Sequence, residues 1–454
     1  MESVSFKVSS GVPSFNLPGV ESWSALLRPA GWTLGIQVAG AGLGYGVHVL
    51  TGRWLGAEVY GAYVLAMGWA VLLSRFSGLG LPTAALRLFP EYDTNEQYGR
   101  LRGLLRGSRG LVCGTGLLAA LAVTLLFTTT PLFSPDQLPS LLTGIWLVPV
   151  LALIGLETEI LRAQRQVVWA YAPPRILRPL LLIGGIGIVS VSALPNSAAS
   201  VLAIMGGILI LVLGVQYIGT RRTVPPMTYT TPPEYKPWTW IGIAGPLFLV
   251  KGFVIAIAKT DIFVIGALLD TRQVGLYGAA LRTAHGITFV GAALDSVASS
   301  AVARLHAQGD RGGLQALVAR LAQVYFWPTL MLAVGIVLAA PYILGLFGPD
   351  FVSGQPELIV LMGGLLVNAS TGCQEYLLTL TGHQRACAWI YGTAMVINLI
   401  LNLVGVSLLG SVGAALATAG TIVIWNGWMY VLVRQRLEID PTIFALFRPL
   451  RSTQ

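Results

Sequence analysis

Residues 251–261 read KGFVIAIAKTD, so Lys251, Lys259 and Asp261 interrupt one of the most apolar stretches of the chain. A charged side chain at mid-membrane costs about 2.5–3.5 kcal/mol on insertion scales, so such residues face protein or a water-filled cavity. Arg282 interrupts the next apolar run, and Arg75 an earlier one. Lysine offers a compact charge and arginine a planar fork that donates two parallel hydrogen bonds; both suit a phosphate-type anion. The competing reading is internal, with Lys259 or Arg282 paired to Asp261 to fasten two helices. That pairing leaves Lys251 and Arg75 without a role, so the spacing favours a cationic cleft lined by Arg75, Lys251, Lys259 and Arg282.

Depth supports this grouping. At about 1.5 Å per residue, Lys259 and Asp261 lie roughly 12–15 Å from the end of their run, and Arg282 roughly 13 Å into the next. His285, one turn beyond Arg282, is a candidate polar lining residue, although a packing histidine fits equally. Asp261, Glu157, Asp295 and Glu375 are candidate ion-coupling or gating acids. Glu157 and Glu159 sit near Arg162 and Arg165, Asp295 near Arg304, and Glu375 near Arg385. Asn368, Asn398 and Asn402 suit hydrogen bonds between helices. No HExxH, DxD or Walker pattern occurs, and Cys113, Cys373 and Cys387 have no metal spacing. Neither catalysis nor a metal or cofactor is expected.

The elements that must carry these residues follow from composition. Of 454 residues, 55% are hydrophobic and 10% charged, with mean hydropathy +0.73. A soluble domain carries about 25% charged residues, so the chain reads as an all-α polytopic membrane protein. Twelve apolar runs fall near 31–50, 60–82, 110–130, 138–160, 175–194 and 198–218, then near 241–268, 273–303, 314–340, 356–380, 386–407 and 411–433. The net charge of +9 lies in short basic clusters between these runs, which reads as a topology signal rather than a nucleic-acid surface. With both termini cytoplasmic, Arg100, Arg102, Arg106, Arg109, Arg162, Arg165, Arg175, Arg178, Arg221 and Arg222 fall inside, and only Arg53 and Arg272 outside. Outer loops would then carry Glu58, Asp136, Asp270, Asp350 and Glu357. Aromatics such as Trp54, Tyr60, Trp238, Trp240 and Trp428 would form interfacial belts. The expected organisation is a tail at 1–29 without a signal peptide, a bundle at 30–220, a Pro-rich linker at 221–237, a second bundle at 238–436 and a tail at 437–454.

The halves resemble each other. LGAEVYGAYVLA (55–66) and LDTRQVGLYGAA (269–280) each precede a span, and Gly61 aligns on Gly275 at an offset of 214 residues. Two six-helix bundles of like orientation imply a pseudo-two-fold along the membrane normal and a central cleft.

TDIFVIGALLDTRQVGLYGAALR (260–282), the GLFGPDF turn ending at 351 and NLILNLVGVSLLGSVGAALATAG (398–420) together resemble the Wzx-type polysaccharide flippases of the multidrug/oligosaccharidyl-lipid/polysaccharide exporter superfamily. GRWLGAEVYGAYVLA and GLGLPTAALRLFPEY extend the likeness, which runs from about residue 31 to 436. The resemblance implies a monomeric inner-membrane protein that moves a polyprenyl pyrophosphate-linked oligosaccharide between leaflets by alternating access. It also implies contact with membrane lipids and other polysaccharide-assembly proteins. A multidrug antiporter of the same superfamily is the alternative, but its cavity would favour acids over cations.

Overall fold

The computed structural model describes residues 23–191 and 195–447. Side chains are described except at 23–34, 246–247, 249–251, 292–293, 295–300 and 446–447. Most of the expected N-terminal tail, the last residues of the C-terminal tail, and the side chains of Lys251 and Asp295 therefore lie outside the described residues.

The described residues form helices and no strand. In chain order these are α1 (Trp23–Ser77), α2 (Leu81–Thr94), α3 (Tyr98–Thr129), α4 (Leu138–Ile145), α5 (Val148–Ala163), α6 (Val167–Ala172), α7 (Arg178–Val191), α8 (Ala198–Thr223) and α9 (Met227–Thr230). There follow α10 (Pro237–Leu268), α11 (Thr271–Ala284), α12 (Phe289–Ala307), α13 (Arg311–Leu338), α14 (Ala340–Gly345), α15 (Gln355–Ser370), α16 (Gln374–Leu380) and α17 (Gln384–Leu437). Eight helical stretches among the described residues are long and apolar enough to cross a membrane. The chain is a multi-pass membrane protein.

Two of these stretches, Gly35–Ser77 and Gln384–Leu437, run 43 and 54 residues, about twice what one crossing needs. Each folds back on itself at a glycine of positive φ, Gly56 (83°) and Gly410 (61°), where a side chain would strain the backbone. These reversals mark one end of the molecule, here the turn end. The opposite end carries Arg109, Arg162, Arg221 and Arg434 and is called the basic end. Starts such as that of α11 are fixed locally: Asp270 Oδ1 accepts the Gln273 N–H at 2.7 Å, which satisfies a donor the helix leaves open.

The repeat seen in the sequence becomes a physical contact. A Cβ built on Gly61 would run into the Thr271 carbonyl oxygen, and one built on Gly275 into the Ala57 carbonyl oxygen. Ala57 and Thr271 are themselves repeat equivalents. So are Val64 and Gly278, where a Cβ added to the glycine would stand 3.2 Å from Val64 Cγ1. Residue i touches j and j touches i, the signature of a two-fold contact. The pseudo-axis passes where α1 crosses α11, and only glycine lets the backbones approach this closely.

The rest of the turn end is closed by aromatics. Phe347 and Phe351, both fully buried, pack on Gly52 and on the rings of Tyr45 and Tyr60. Tyr45 Oη lies 3.1 Å from Thr283 Oγ1, joining α1 to α11, and Trp69 stacks on Phe263 of α10 at 4.2 Å. Tyr60 is thus core rather than interfacial belt, because the turn at Gly56 directs it inward.

At the basic end, Trp240 likewise departs from the belt expectation. It is 1% exposed in a cluster with Leu81, Leu101, Leu105 and Leu156, and its ring fills the space over Gly107. Ala244 packs on Gly80. The first turns of α10 are therefore packed into the core of the first half. The linker is strapped there too, through Glu234 N–H to Gly99 O (2.9 Å) and Arg102 Nη1 to Thr231 O (2.6 Å). The exposed Arg100–Glu234 pair at 3.4 Å adds little.

Candidate functional site

Three of the expected cleft residues have described side chains, and the structure brings two of them together. Lys259 on α10 and Arg282 on α11 are both within electrostatic reach of His48 on α1. Arg178, at the start of α7, reaches the same histidine, together with Tyr63 and Arg282. Cations from both halves thus converge on one region. Arg282 and His285 reach open space although their neighbours Leu281, Thr283 and Ala284 are buried. Because Arg282 acts on His48, Tyr60 and Tyr63 of the opposite half, that space is internal.

Arg178 is a correction to the sequence reading, which placed it in a cytoplasmic cluster. The PPRILRP segment makes a π-helical turn over Pro173–Leu177, since the two prolines remove N–H donors, and α7 begins only at Arg178. The change of register carries Arg178 inward, while Arg175 stays exposed against Tyr171. A matching irregularity follows Arg282: His285–Thr288 form a 3-10 turn between α11 and α12. Such interruptions recur at functional sites, and the paired prolines and the Ala-His-Gly sequence are the signals that mark them.

Asp261 makes no ion pair within 4 Å with either cation, although it lies within electrostatic reach of Lys259. It is 1% exposed, accepts the Tyr277 hydroxyl at 2.6 Å and its Oδ1 accepts the Ile262 N–H at 2.8 Å. Its charge is taken up by hydrogen bonds within the second half, leaving Lys259 and Arg282 without an ion pair among the described residues. Arg75 stands apart: it lies at the basic end of α1 beside Gly155, twelve residues and roughly 18 Å along the helix from Tyr63.

The remaining acids have other partners than expected. Glu157 is buried and paired with Arg109, through Nε at 2.5 Å and Nη2 at 3.0 Å, and accepts the Thr220 hydroxyl at 2.7 Å. Arg162 pairs with Glu159 instead. Glu157 therefore ties α3, α5 and α8. Arg109→Ala should leave a buried unpaired carboxylate and destabilise the protein by about 3–5 kcal/mol, read as a large fall in detergent Tm. Replacing both partners by leucine should recover most of it, whereas an ion-coupling role for Glu157 would leave the double variant stable but inactive. Glu375 is exposed and accepts the Tyr391 hydroxyl at 2.7 Å rather than meeting Arg385. Glu357, expected in an outer loop, is buried on the first turn of α15.

A family model described as polysaccharide biosynthesis protein matches residues 26–299. The chain belongs to this polysaccharide biosynthesis family. No curated protein matches the sequence. Among solved structures the fold is shared with lipid II flippase MurJ in an inward closed conformation, at TM-score 0.70 and 15% identity over 89% of this chain and 87% of that one. It is shared also with an inward-facing multidrug resistance MATE family transporter of the MOP superfamily, at TM-score 0.68 and 13% identity over 87% and 94% of the two chains. A third is a MOP superfamily transporter from Pyrococcus furiosus, described as having a binding pocket of reverse polarity, at TM-score 0.60 and 14% identity over 89% and 94%. At these identities the likeness is one of fold. Among the described residues, Arg178, Lys259 and Arg282 make no ion pair.

Proposed function

We propose that the protein moves a lipid-linked oligosaccharide, held by its pyrophosphate, from the cytoplasmic to the outer leaflet of the inner membrane. The observation that carries this reading is the convergence of Arg178, Lys259 and Arg282 around His48, with the nearby Asp261 already bonded to Tyr277. A doubly charged diphosphate bridging two halves needs cations on both walls, and arginine forks with a lysine supply them. The basic end is cytoplasmic by the positive-inside rule. With the turn end closed by Gly61–Gly275, Phe347 and Phe351, the substrate enters from the basic end. Release on the other side then requires the halves to rock apart about that crossing while the lipid tail stays in the bilayer. The halves correspond to 30–220 and 238–436, with the first turns of α10 moving with the first half.

The test uses purified protein in vesicles with a fluorescent polyprenyl pyrophosphate-linked sugar, scored by protection of the sugar from an external quencher. Transfer of the pyrophosphate lipid but not of the uncharged polyprenol glycoside is expected, with inorganic pyrophosphate competing. Uptake of lipophilic cations with no transfer of the anionic lipid would overturn the proposal in favour of a multidrug antiporter.

A further inference from the structure

Tyr60 stands between the aromatic closure of the turn end and the cation cluster. It is fully buried, and the rings of Phe347 at 6.0 Å and Phe351 at 5.7 Å meet its ring edge-on from the second half. Its hydroxyl lies 3.2 Å from His48 Nδ1, and the Tyr60 and His48 rings are themselves edge-on at 5.8 Å and 86°. His48 in turn is within electrostatic reach of Arg178, Lys259 and Arg282. One side chain therefore meets the closing residues through its ring and the centre of the cluster through its oxygen.

This hydrogen bond bears directly on an anion in the cluster. Nδ1 is engaged by Tyr60, and no hydrogen bond reaches Nε2 among the described residues. An anion accepts hydrogen bonds, so Nε2 must carry the ring proton when one binds there. Nδ1 is then the acceptor and Tyr60 the donor. Hydroxyl, imidazole and anion form a chain whose bonds polarise and strengthen one another. The chain needs Tyr60 held in place. Phe347 and Phe351 hold it, and they leave it when the halves part at the turn end.

We propose that Tyr60 positions His48 and so ties the anion affinity of the cluster to closure of the turn end. With the turn end closed, Tyr60 fixes the imidazole in the tautomer and orientation that donate to a pyrophosphate. With the turn end open, Tyr60 loses its aromatic support, the chain breaks and the site holds the anion less tightly. Linkage makes the effect reciprocal, so a bound anion favours the closed turn end by the same factor. The protein then loads with higher affinity from the basic end and releases with lower affinity at the turn end. The inference deepens the transport reading and rests on it for the pyrophosphate.

The test uses the purified full chain in detergent with inorganic pyrophosphate. Spin labels on Glu58→Cys and Tyr342→Cys, exposed positions of the two halves, report the closed and open populations by pulsed dipolar spectroscopy. Cys113, Cys373 and Cys387 are replaced by serine in this parent, and calorimetry reports affinity. Saturating pyrophosphate should raise the closed-to-open ratio about two- to tenfold, the weight of one neutral hydrogen bond. Tyr60→Phe keeps the ring against Phe347 and Phe351. It should bind pyrophosphate more weakly by a similar factor, and its ratio should not move. His48→Ala removes the acceptor and leaves Tyr60 in place; it should show the same flat ratio, and it decides the matter if Tyr60→Phe fails to fold. A parent that binds pyrophosphate with an unmoved ratio, or a Tyr60→Phe or His48→Ala protein whose ratio moves as the parent's does, would overturn this inference alone. A parent that binds no pyrophosphate would instead sink the transport reading, and this inference with it.

Discussion

Gly61→Val should abolish export while leaving each half folded. Even the first carbon of the new side chain would meet the Thr271 carbonyl oxygen of α11, and backbone cannot give way as a flexible side chain can. The two helices must separate by more than an ångström, which also breaks the Tyr45–Thr283 contact and lifts Phe347 and Phe351 from Gly52. Overpacking of a tight contact costs about 1–3 kcal/mol or more, enough to shift a closed-to-open ratio by roughly tenfold to a hundredfold. The repeat predicts the same outcome for Gly275→Val, by collision with the Ala57 carbonyl oxygen. A cysteine at Thr283, inaccessible at 4% exposure in the closed form, should become reactive to a membrane-impermeant thiol reagent added from the turn end in either valine variant. Normal export and an unreactive cysteine in both variants would rule out this crossing as the point of closure.

The second large effect concerns the cations. Lys259→Ala, Arg282→Ala and Arg178→Ala should each cripple surface glycan export in a complementation assay, with normal protein levels in the membrane. A hydrogen bond to a charged group contributes about 1.5–3 kcal/mol, so each loss should weaken binding roughly tenfold to a hundredfold. Arg282→Lys should retain more export than Arg282→Gln, because charge matters more than shape at an internal anion site. The decisive variant is the double replacement Lys259→Ala with Asp261→Asn. If Lys259 merely neutralised Asp261, removing both would restore export. Asp261 is instead held by Tyr277 and the Ile262 N–H, so the double variant should remain defective. Arg75→Ala, lying apart from the cluster, should have the smaller effect.

Much of this molecule was legible in the chain. The apolar runs and the 214-residue repeat are local or periodic properties, and the lipid environment enforces helical spans because unsatisfied backbone cannot be left in hydrocarbon. The expected depth of Lys259, Asp261 and Arg282 rests on helix rise alone. Partnership did not follow. Nearness in sequence suggested Glu157 with Arg162 and Glu375 with Arg385, whereas the side chains chose Arg109 on another helix and Tyr391. Glu357 read as a loop acid because the residues it meets, Ser411 and through it Gln273, come from segments more than fifty residues away.

Sequence alone determined that this is a polytopic helical protein of two related halves with cations interrupting its apolar runs. Only the tertiary structure decided which cations meet. Arg178 enters the cleft because a proline-induced π turn rotates α7 relative to the helix before it, and Arg75 stays out because α1 carries it toward the basic end. Hydrophobic periodicity reports which residues avoid water, one helix at a time. The register between helices depends on irregular turns and on glycine contacts such as Gly61 with Gly275, and those distances are set by packing across the whole bundle.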